Sequence, residues 1–362
     1  MDTIVIGGGQ AGLTATRALL DAGLTPVLLE ATDQTTGSWG RYYDSLTLFS
    51  PARYSSLPGF PFGGDPDRYP RRDEVVDYLA RYARDLGRGG AEIRTGARVT
   101  AVEADTHRGA RGGGFAVHLA DGSTLNAPTV IAASGSFDRP HLPVLPGRDG
   151  FTGQILHAAA YTGPLPYAGR RVVVVGAGNS AVQIAYELAE TTTVTLATRT
   201  PIRFVDQRPL GKDLHFWFTL TGFDRLPARL VTTPPTVPVL DEGAYRQALR
   251  DGRLDRRPIF TRLDEGDVVW ADGSREPVDV VLLATGYRPN LDYLNGLGAL
   301  DERGHPRHDR GLSTTHPGLG FLGLEWQRTP ASNTLRGVGR DARHLTGKLT
   351  THLNTRRFRA GV

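Results

Sequence analysis

One strand–turn–helix–strand arrangement is written twice in this chain, and the repeat constrains the fold more than any other feature. In the first copy Ile4-Val5-Ile6 is a short β-rich run, Gly7-Gly8-Gly9-Gln10-Ala11-Gly12 is the turn, and Leu13 to Ala22 has helical spacing. Gly23 then stops the helix, and Val27-Leu28-Leu29-Glu30 reads as the next strand. In the second copy Val172 to Val175 is the strand, Gly176-Ala177-Gly178-Asn179-Ser180-Ala181 the turn, and Val182 to Glu190 the helix. Thr193 to Thr198 forms its following strand, which ends at Arg199. Two βαβ units of this kind predict an α/β protein with two Rossmann-like dinucleotide-binding domains.

The glycines of each turn have separate tasks. Gly7 permits the tight turn, Gly9 lets a pyrophosphate approach the backbone, and Gly12 lets the helix pack close to the strand. The phosphates then lie at a helix N-terminus, where free N–H groups and the helix dipole favour negative charge. Glu30 stands where a carboxylate accepts hydrogen bonds from both hydroxyls of an adenosine ribose. In the second copy Ala181 replaces the third glycine, a change the motif tolerates. Gly7 to Glu30 and Gly176 to Arg199 are the same step of 23 residues, so an arginine now occupies the position of the ribose-binding acid. A carboxylate would repel a 2′-phosphate there, whereas a guanidinium pairs with it. The second domain is therefore expected to take NADP, with Thr198 and Thr200 as further hydroxyl donors.

Between the copies, Val75, Val76, Leu79, Tyr82, Ala83 and Leu86 give one helical face over Asp73 to Leu86. Ala97 to Glu103 and Phe115 to Leu119 alternate as strands joined through a glycine-rich turn at Arg108 to Gly114. Val130 to Gly135 ends the first segment, and Val280 to Gly286 is a matching strand that closes the second domain. The simplest topology places residues 1–165 and 279–362 in the first domain and 166–278 in an inserted second one. The proline-rich stretch Leu226 to Pro238 is an irregular excursion within the insert. The chain has no cysteine, which excludes disulfides, thiolate metal sites and cysteine-based redox chemistry. Its net charge is only +4, its arginines are scattered, and the basic run Arg356-Arg357-Phe358-Arg359 reads as a solvated terminus, so no nucleic-acid partner is expected. No apolar run is long enough to span a bilayer and no charged leader precedes Thr3, so a cytoplasmic protein with no membrane partner is expected. His305, His308, His316 and Asp309 read as a polar loop, and no metal site is assigned.

Between the two folds Phe151, Gly153, His157 and Tyr161 fit the pattern FxGxxxHxxxY. With the two nucleotide motifs in this order, the chain resembles the flavin-containing monooxygenases of class B. Leu283-Ala284-Thr285-Gly286-Tyr287 is similar to the ATG motif of that family, where the chain crosses back to the flavin domain. Ser38-Trp39, Tyr43 to Leu46 and Ser56 to Pro61 resemble the region after the second strand in small plant-type and bacterial members. Glu325 to Pro330 and Thr334 to Ala342 are similar to small bacterial members associated with arsenic-resistance loci. The family's Baeyer–Villiger branch carries Trp and then Pro or Asp where Tyr161 and Thr162 stand here, which favours the heteroatom-oxygenating branch.

The resemblance implies FAD in the first domain and NADPH in the second, held by Gly7, Gly9, Gln10, Ala11, Gly12, Glu30, Ser38, Trp39, Val99, Ser134, Gly135, Gly176, Gly178, Asn179, Ser180, Ala181, Arg199, Thr285, Gly286 and Leu335. It also implies a C4a-peroxyflavin that oxygenates a small soft nucleophile: an amine, a sulfide or a trivalent metalloid. No side chain is assigned a catalytic role, with His157 taken as a residue of the linker motif. Many members place an asparagine near the flavin where this chain reads Leu48-Phe49-Ser50-Pro51, so no residue is assigned to steering oxygen transfer. The partners implied are the substrate and dioxygen, with the chain a monomer or homodimer. The alternatives are an NADPH-dependent flavoprotein reductase without oxygen insertion, a Baeyer–Villiger enzyme, and a flavoprotein that uses FAD as a structural or sensing ligand.

Overall fold

A computed structural model describes residues 1–105, 113–230 and 238–360. The first repeat forms β1 (Thr3–Ile6), α1 (Gln10–Asp21) and β2 (Pro26–Leu29). A long tract without regular strands then leads to α2 (Arg72–Arg88) and β3 (Glu92–Arg94). An antiparallel meander follows, β4 (Val99–Asp105), β5 (Gly114–Leu119) and β6 (Thr124–Ala127), and then β7 (Thr129–Ala132) returns beside β1. The linker contributes β8 (Gln154–His157). The second repeat forms β9 (Arg171–Val175), α3 (Asn179–Leu188) and β10 (Thr193–Thr198). It is extended by β11 (Phe204–Asp206), α4 (Leu214–Thr221), β12 (Val239–Asp241), α5 (Ala244–Arg250) and β13 (Asp255–Pro258). A second meander, β14 (Arg262–Asp264), β15 (Asp267–Val269) and β16 (Arg275–Pro277), precedes β17 (Val280–Leu283). The chain ends with β18 (His308–Asp309), β19 (Leu312–Ser313), β20 (Leu319–Phe321) and the long helix α6 (Leu335–Ala360).

Two main sheets result. The first has the order β18-β19-β20-β7-β1-β2-β3, antiparallel only from β18 to β20, and the second the order β13-β10-β9-β17-β8, parallel throughout. The central strands are apolar without alternation because both faces are covered. Val5 packs with α1, α2 and α6 on one face, while Ile4 and Ile6 pack with Val117, Leu294 and Phe321 on the other. Likewise Val172 and Val174 face α3, while Val173 and Val175 face the meander residues Val268 and Trp270.

The second sheet takes in strands from outside 166–278. β8 pairs with β17 in register Val280↔Gln154 to Leu283↔His157, and β17 also pairs with β9. The linker strand is thus the edge of the second sheet and Val280–Leu283 lies inside it. The basic run also differs from expectation, since Arg356 and Arg357 continue α6. Arg357 pairs with Asp2 at 2.8 Å and Arg356 donates to the Pro128 carbonyl at 3.2 Å. The glycine-rich turn at Arg108–Gly114 and the proline-rich stretch Leu226–Pro238 lie largely outside the described residues. Among the described residues no helix is long and apolar enough to cross a membrane, and no group of three metal-ligating side chains converges.

Candidate active site

In each sheet the central strand is flanked on its two sides by strands from different parts of the chain, β1 by β2 and β7 and β9 by β10 and β17. A crevice opens at such a switch point, at the carboxyl ends of the strands. Gly7 ends β1 at φ +107°, and a Cβ on it would lie 2.6 Å from the Ala133 carbonyl oxygen on the neighbouring strand. A Cβ on Gly12 would lie 1.8 Å from the Gly7 carbonyl oxygen, so only glycine lets α1 rest on this turn. Gly9, the N-cap of α1, has no side-chain cap, which leaves the first N–H groups of the helix free.

These N–H groups face a cleft of about 400 Å³ whose walls include Gly7, Gly9, Gln10, Ala11, Glu30, Ser38, Trp39, Val99, Ser134 and Gly135. Glu30 is buried directly after β2. One carboxylate oxygen accepts from the Gly8 N–H at 2.6 Å, and the other accepts from the Thr32 N–H and hydroxyl, both at 2.8 Å. Gln10 is fixed by donating to the Asn333 carbonyl at 2.7 Å and accepting from the Trp39 indole at 3.3 Å. Ser134 donates to the Asn290 carbonyl at 2.5 Å beside the Tyr293 hydroxyl at 3.0 Å. Leu335, Thr285 and Gly286, also expected to bind cofactor, are not among these cleft walls. Leu335 is buried in the core at the start of α6, and Thr285 and Gly286 sit in the crossover after β17.

The second turn repeats the pattern with one difference. Gly176 lies at φ +148°, with a Cβ position 2.5 Å from the Ala284 carbonyl oxygen and 3.0 Å from the Ala181 Cβ, so it is required by the fold. Gly178 has ordinary extended backbone (φ −91°, ψ −178°), and a Cβ there would meet nothing within 4 Å. Neither conformation nor packing requires glycine at this position, and the space beside it is open. The adjacent start of α3 is uncapped, with Ser180 exposed. The Asn179 side chain is already engaged, donating to the Pro238 carbonyl at 3.2 Å and accepting from the Leu240 N–H at 3.1 Å. One donor and one acceptor position of the side chain are thereby used. Arg199 is exposed just after β10 and makes no ion pair among the described residues, whereas the Thr198 hydroxyl accepts from Arg256 at 2.8 Å.

The linker motif ties the two halves together. His157 is buried at the end of β8, its Nε2 bonded to the Gly286 carbonyl at 3.1 Å and its Nδ1 accepting from the Ala159 N–H at 3.0 Å. The same carbonyl accepts from the His141 N–H at 2.9 Å. Burial holds the imidazole below its usual pKa, so it is neutral and works as a strut. Tyr161, fully buried, donates to Glu187 on α3 at 2.9 Å, while Tyr43 from the first domain bonds to Gln183 on the same helix. Burial raises both phenols well above the usual range, and both stay protonated. The aromatic series Trp39, Tyr42, Phe137, Tyr287 and His157, with successive ring centres 4.7–5.7 Å apart, joins the cleft to this crossover.

The pyridine nucleotide-disulphide oxidoreductase family model matches residues 4–214, more than half of the chain. The chain belongs to this family. The oxidoreductase is 31% identical to a CzcO-like oxidoreductase of Geobacillus kaustophilus over 97% of its own length and 99% of that protein. It is 29% identical to the rice indole-3-pyruvate monooxygenase YUCCA1, with 83% of this chain and 80% of the relative covered. Among solved structures it is similar to a flavin-containing monooxygenase from Stenotrophomonas maltophilia, with 32% identity, a TM-score of 0.84, and 97% and 98% of the two chains aligned. It is thus a flavin-dependent oxidoreductase of the monooxygenase type, and its cofactors are FAD and NADPH. Sequence reasoning passed over Gly8, Asn290, Tyr293 and Asn333. Only Gly8 carried a local signal, its place between Gly7 and Gly9; in the structure a Cβ on it would lie 2.9 Å from Glu30.

Proposed function

We propose that the oxidoreductase inserts one oxygen atom of dioxygen into a small soft nucleophile, an amine, a sulfide or a trivalent metalloid. For a sulfide the balance is R–S–R plus O₂, NADPH and a proton giving R–S(O)–R, NADP⁺ and water. The observation that carries the reading is the pair of glycine turns at two switch points, bridged by a buried linker, in a chain with no cysteine to store electrons. The fit to the cofactors rests on the free N–H groups of α1 facing a cleft and on the open space beside Gly178. FAD, when bound, supplies the hydride acceptor and the reaction with dioxygen.

The chain's own residues supply the rest. Gly7, Gly9, Gln10, Ala11 and Gly12 would cradle the FAD pyrophosphate, Glu30 the ribose, and Ser38, Trp39, Val99, Ser134 and Gly135 the remaining walls. Gly176, Gly178, Ser180 and Ala181 would receive the NADPH pyrophosphate on the N–H groups of α3, with Arg199 on the 2′-phosphate. The Gly286 carbonyl, gripped by His141 and His157, would hold the crossover so that the two cofactors meet behind the aromatic wall that excludes water. Thr285 and Leu335 would act through this scaffold rather than by touching a cofactor. NADPH-dependent oxygen uptake tests the reading. A sulfide, amine or arsenite should stimulate uptake while hydrogen peroxide release falls. Uptake that no member of the panel alters, with all oxygen recovered as peroxide, would contradict it.

A further inference from the structure

The turn Ala52–Tyr54, helix α4 and the first two turns of α6 enclose a second cavity of about 290 Å³. Its walls carry four guanidinium groups, those of Arg53, Arg225, Arg336 and Arg340, and the rings of Tyr54 and Phe218. Asp224 is the one acid along this lining, and it is buried. Its carboxylate is consumed by Arg336, which donates through Nε and one terminal nitrogen, both at 3.0 Å. Arg53 is paired with Asp67 at 2.8 Å. Arg225 and Arg340 make no ion pair among the described residues, and Arg340 has only the Asp224 main-chain carbonyl, at 3.0 Å. Burial holds Arg340 below the usual guanidinium pKa, with Asp224 and Asp341 opposing the shift and Arg225 and Arg336 adding to it.

Arg340 is half-buried and Arg225 exposed, so a bound anion would offset the desolvation of the Arg340 guanidinium and find Arg225 free at the mouth. A carboxylate suits them because it is planar and accepts forked donors, and the two rings would cover an apolar body attached to it. Asn333 lines the flavin cleft and Arg336 this cavity, so three residues, at most ~11 Å of chain, separate the two linings. The loop after α4 is fastened to the same wall by the Ala228 N–H, which donates to the Arg328 carbonyl at 2.8 Å.

We propose that this cavity is the carboxylate-recognition end of the substrate site, so that the oxygen acceptor is a thioether or amine bearing a carboxylate. The inference rests on the monooxygenase reading and narrows it. Binding of 3-phenylpropionate and of its neutral amide, followed by calorimetry on the FAD-loaded enzyme, tests the cavity apart from turnover. The acid should bind at least tenfold tighter than the amide. Arg225→Gln and Arg340→Gln should each erode that preference about tenfold while flavin content and melting temperature hold, with Arg340→Lys intermediate. Arg336 is left in place because its loss would strand the buried Asp224. Equal binding of acid and amide, or a preference unmoved in both variants, overturns the proposal. In turnover, 3-(methylthio)propionate should show a KM at least tenfold below that of its methyl ester, and 3-phenylpropionate should raise that KM without changing kcat. An unaffected KM also overturns the proposal. Tight, arginine-dependent binding of the acid in an enzyme that oxygenates no thioether or amine sinks the monooxygenase reading and leaves the anion site standing.

Discussion

Gly178 separates a residue kept for a ligand from one kept for the fold. It is the N-cap of α3 and has no side-chain cap, and its extended backbone accepts any residue. Aspartate is among the best N-caps, and glycine is a few tenths of a kcal/mol poorer. Gly178→Asp should therefore leave the folded protein unchanged or more stable by ~0.5 kcal/mol. The new carboxylate would stand where the NADPH pyrophosphate is assigned. Losing one charge-assisted hydrogen bond there costs ~1.5–3 kcal/mol, roughly 10- to 150-fold in affinity before repulsion is counted. Gly176→Ala should do the reverse. At φ +148°, with 2.5 Å to the Ala284 carbonyl oxygen, an added Cβ imposes ~1–3 kcal/mol of strain besides the clash. Melting temperature, flavin absorbance and the KM for NADPH are the three assays. Gly178→Asp should raise only the KM, and Gly176→Ala should lower the melting temperature. A Gly178→Asp enzyme with wild-type affinity for NADPH, or one as unstable as Gly176→Ala, would refute the assignment of the second turn.

Gly9→Val should yield protein without flavin absorbance, because the side chain fills the approach to α1 and presses on Gly37, whose Cα lies 3.4 Å from the added Cβ. Arg199→Glu should raise the KM for NADPH at least tenfold, from a lost pair of ~1.5–3 kcal/mol plus repulsion, and change that for NADH little. His157→Ala should raise the hydrogen peroxide released per NADPH, since it loosens the Gly286 crossover. The His157 pKa is depressed on folding, so the unfolded chain binds its proton first. Stability should fall as pH drops below about 6.5, the ordinary histidine value, and thermal melts should show a shallower fall in His157→Gln.

The strands of both repeats were legible because each central strand is apolar throughout. Thr193–Thr198 is observed as expected, Arg171–Val175 differs by one residue, and the strand expected over Val280 to Gly286 stops at Leu283. The helices begin earlier than their periodicity indicated, at Gln10 and Asn179, because residues assigned to the glycine turns already form the first helical turn. The linker strand Gln154–His157 was not legible. Four residues carry too little pattern, and the partner that makes them a strand is the distant β17. The engagement of Asn179 by the backbone at Pro238 and Leu240 was hidden for the same reason. Local spacing located the two glycine turns, whereas the cleft walls from Asn290, Tyr293 and Asn333 and the arginine cavity depend on chain returns that no local motif encodes.

Turnover under isotopically labelled dioxygen tests monooxygenation most directly. With NADPH and a thioether substrate, the FAD-loaded enzyme should place one labelled oxygen atom in each sulfoxide formed, while the other appears in water. NADPH consumed and sulfoxide formed should approach a one-to-one ratio. NADPH oxidation that leaves every thioether and amine unlabelled and unchanged, with the label recovered only in hydrogen peroxide, would show electron transfer without oxygen insertion and contradict the monooxygenase assignment.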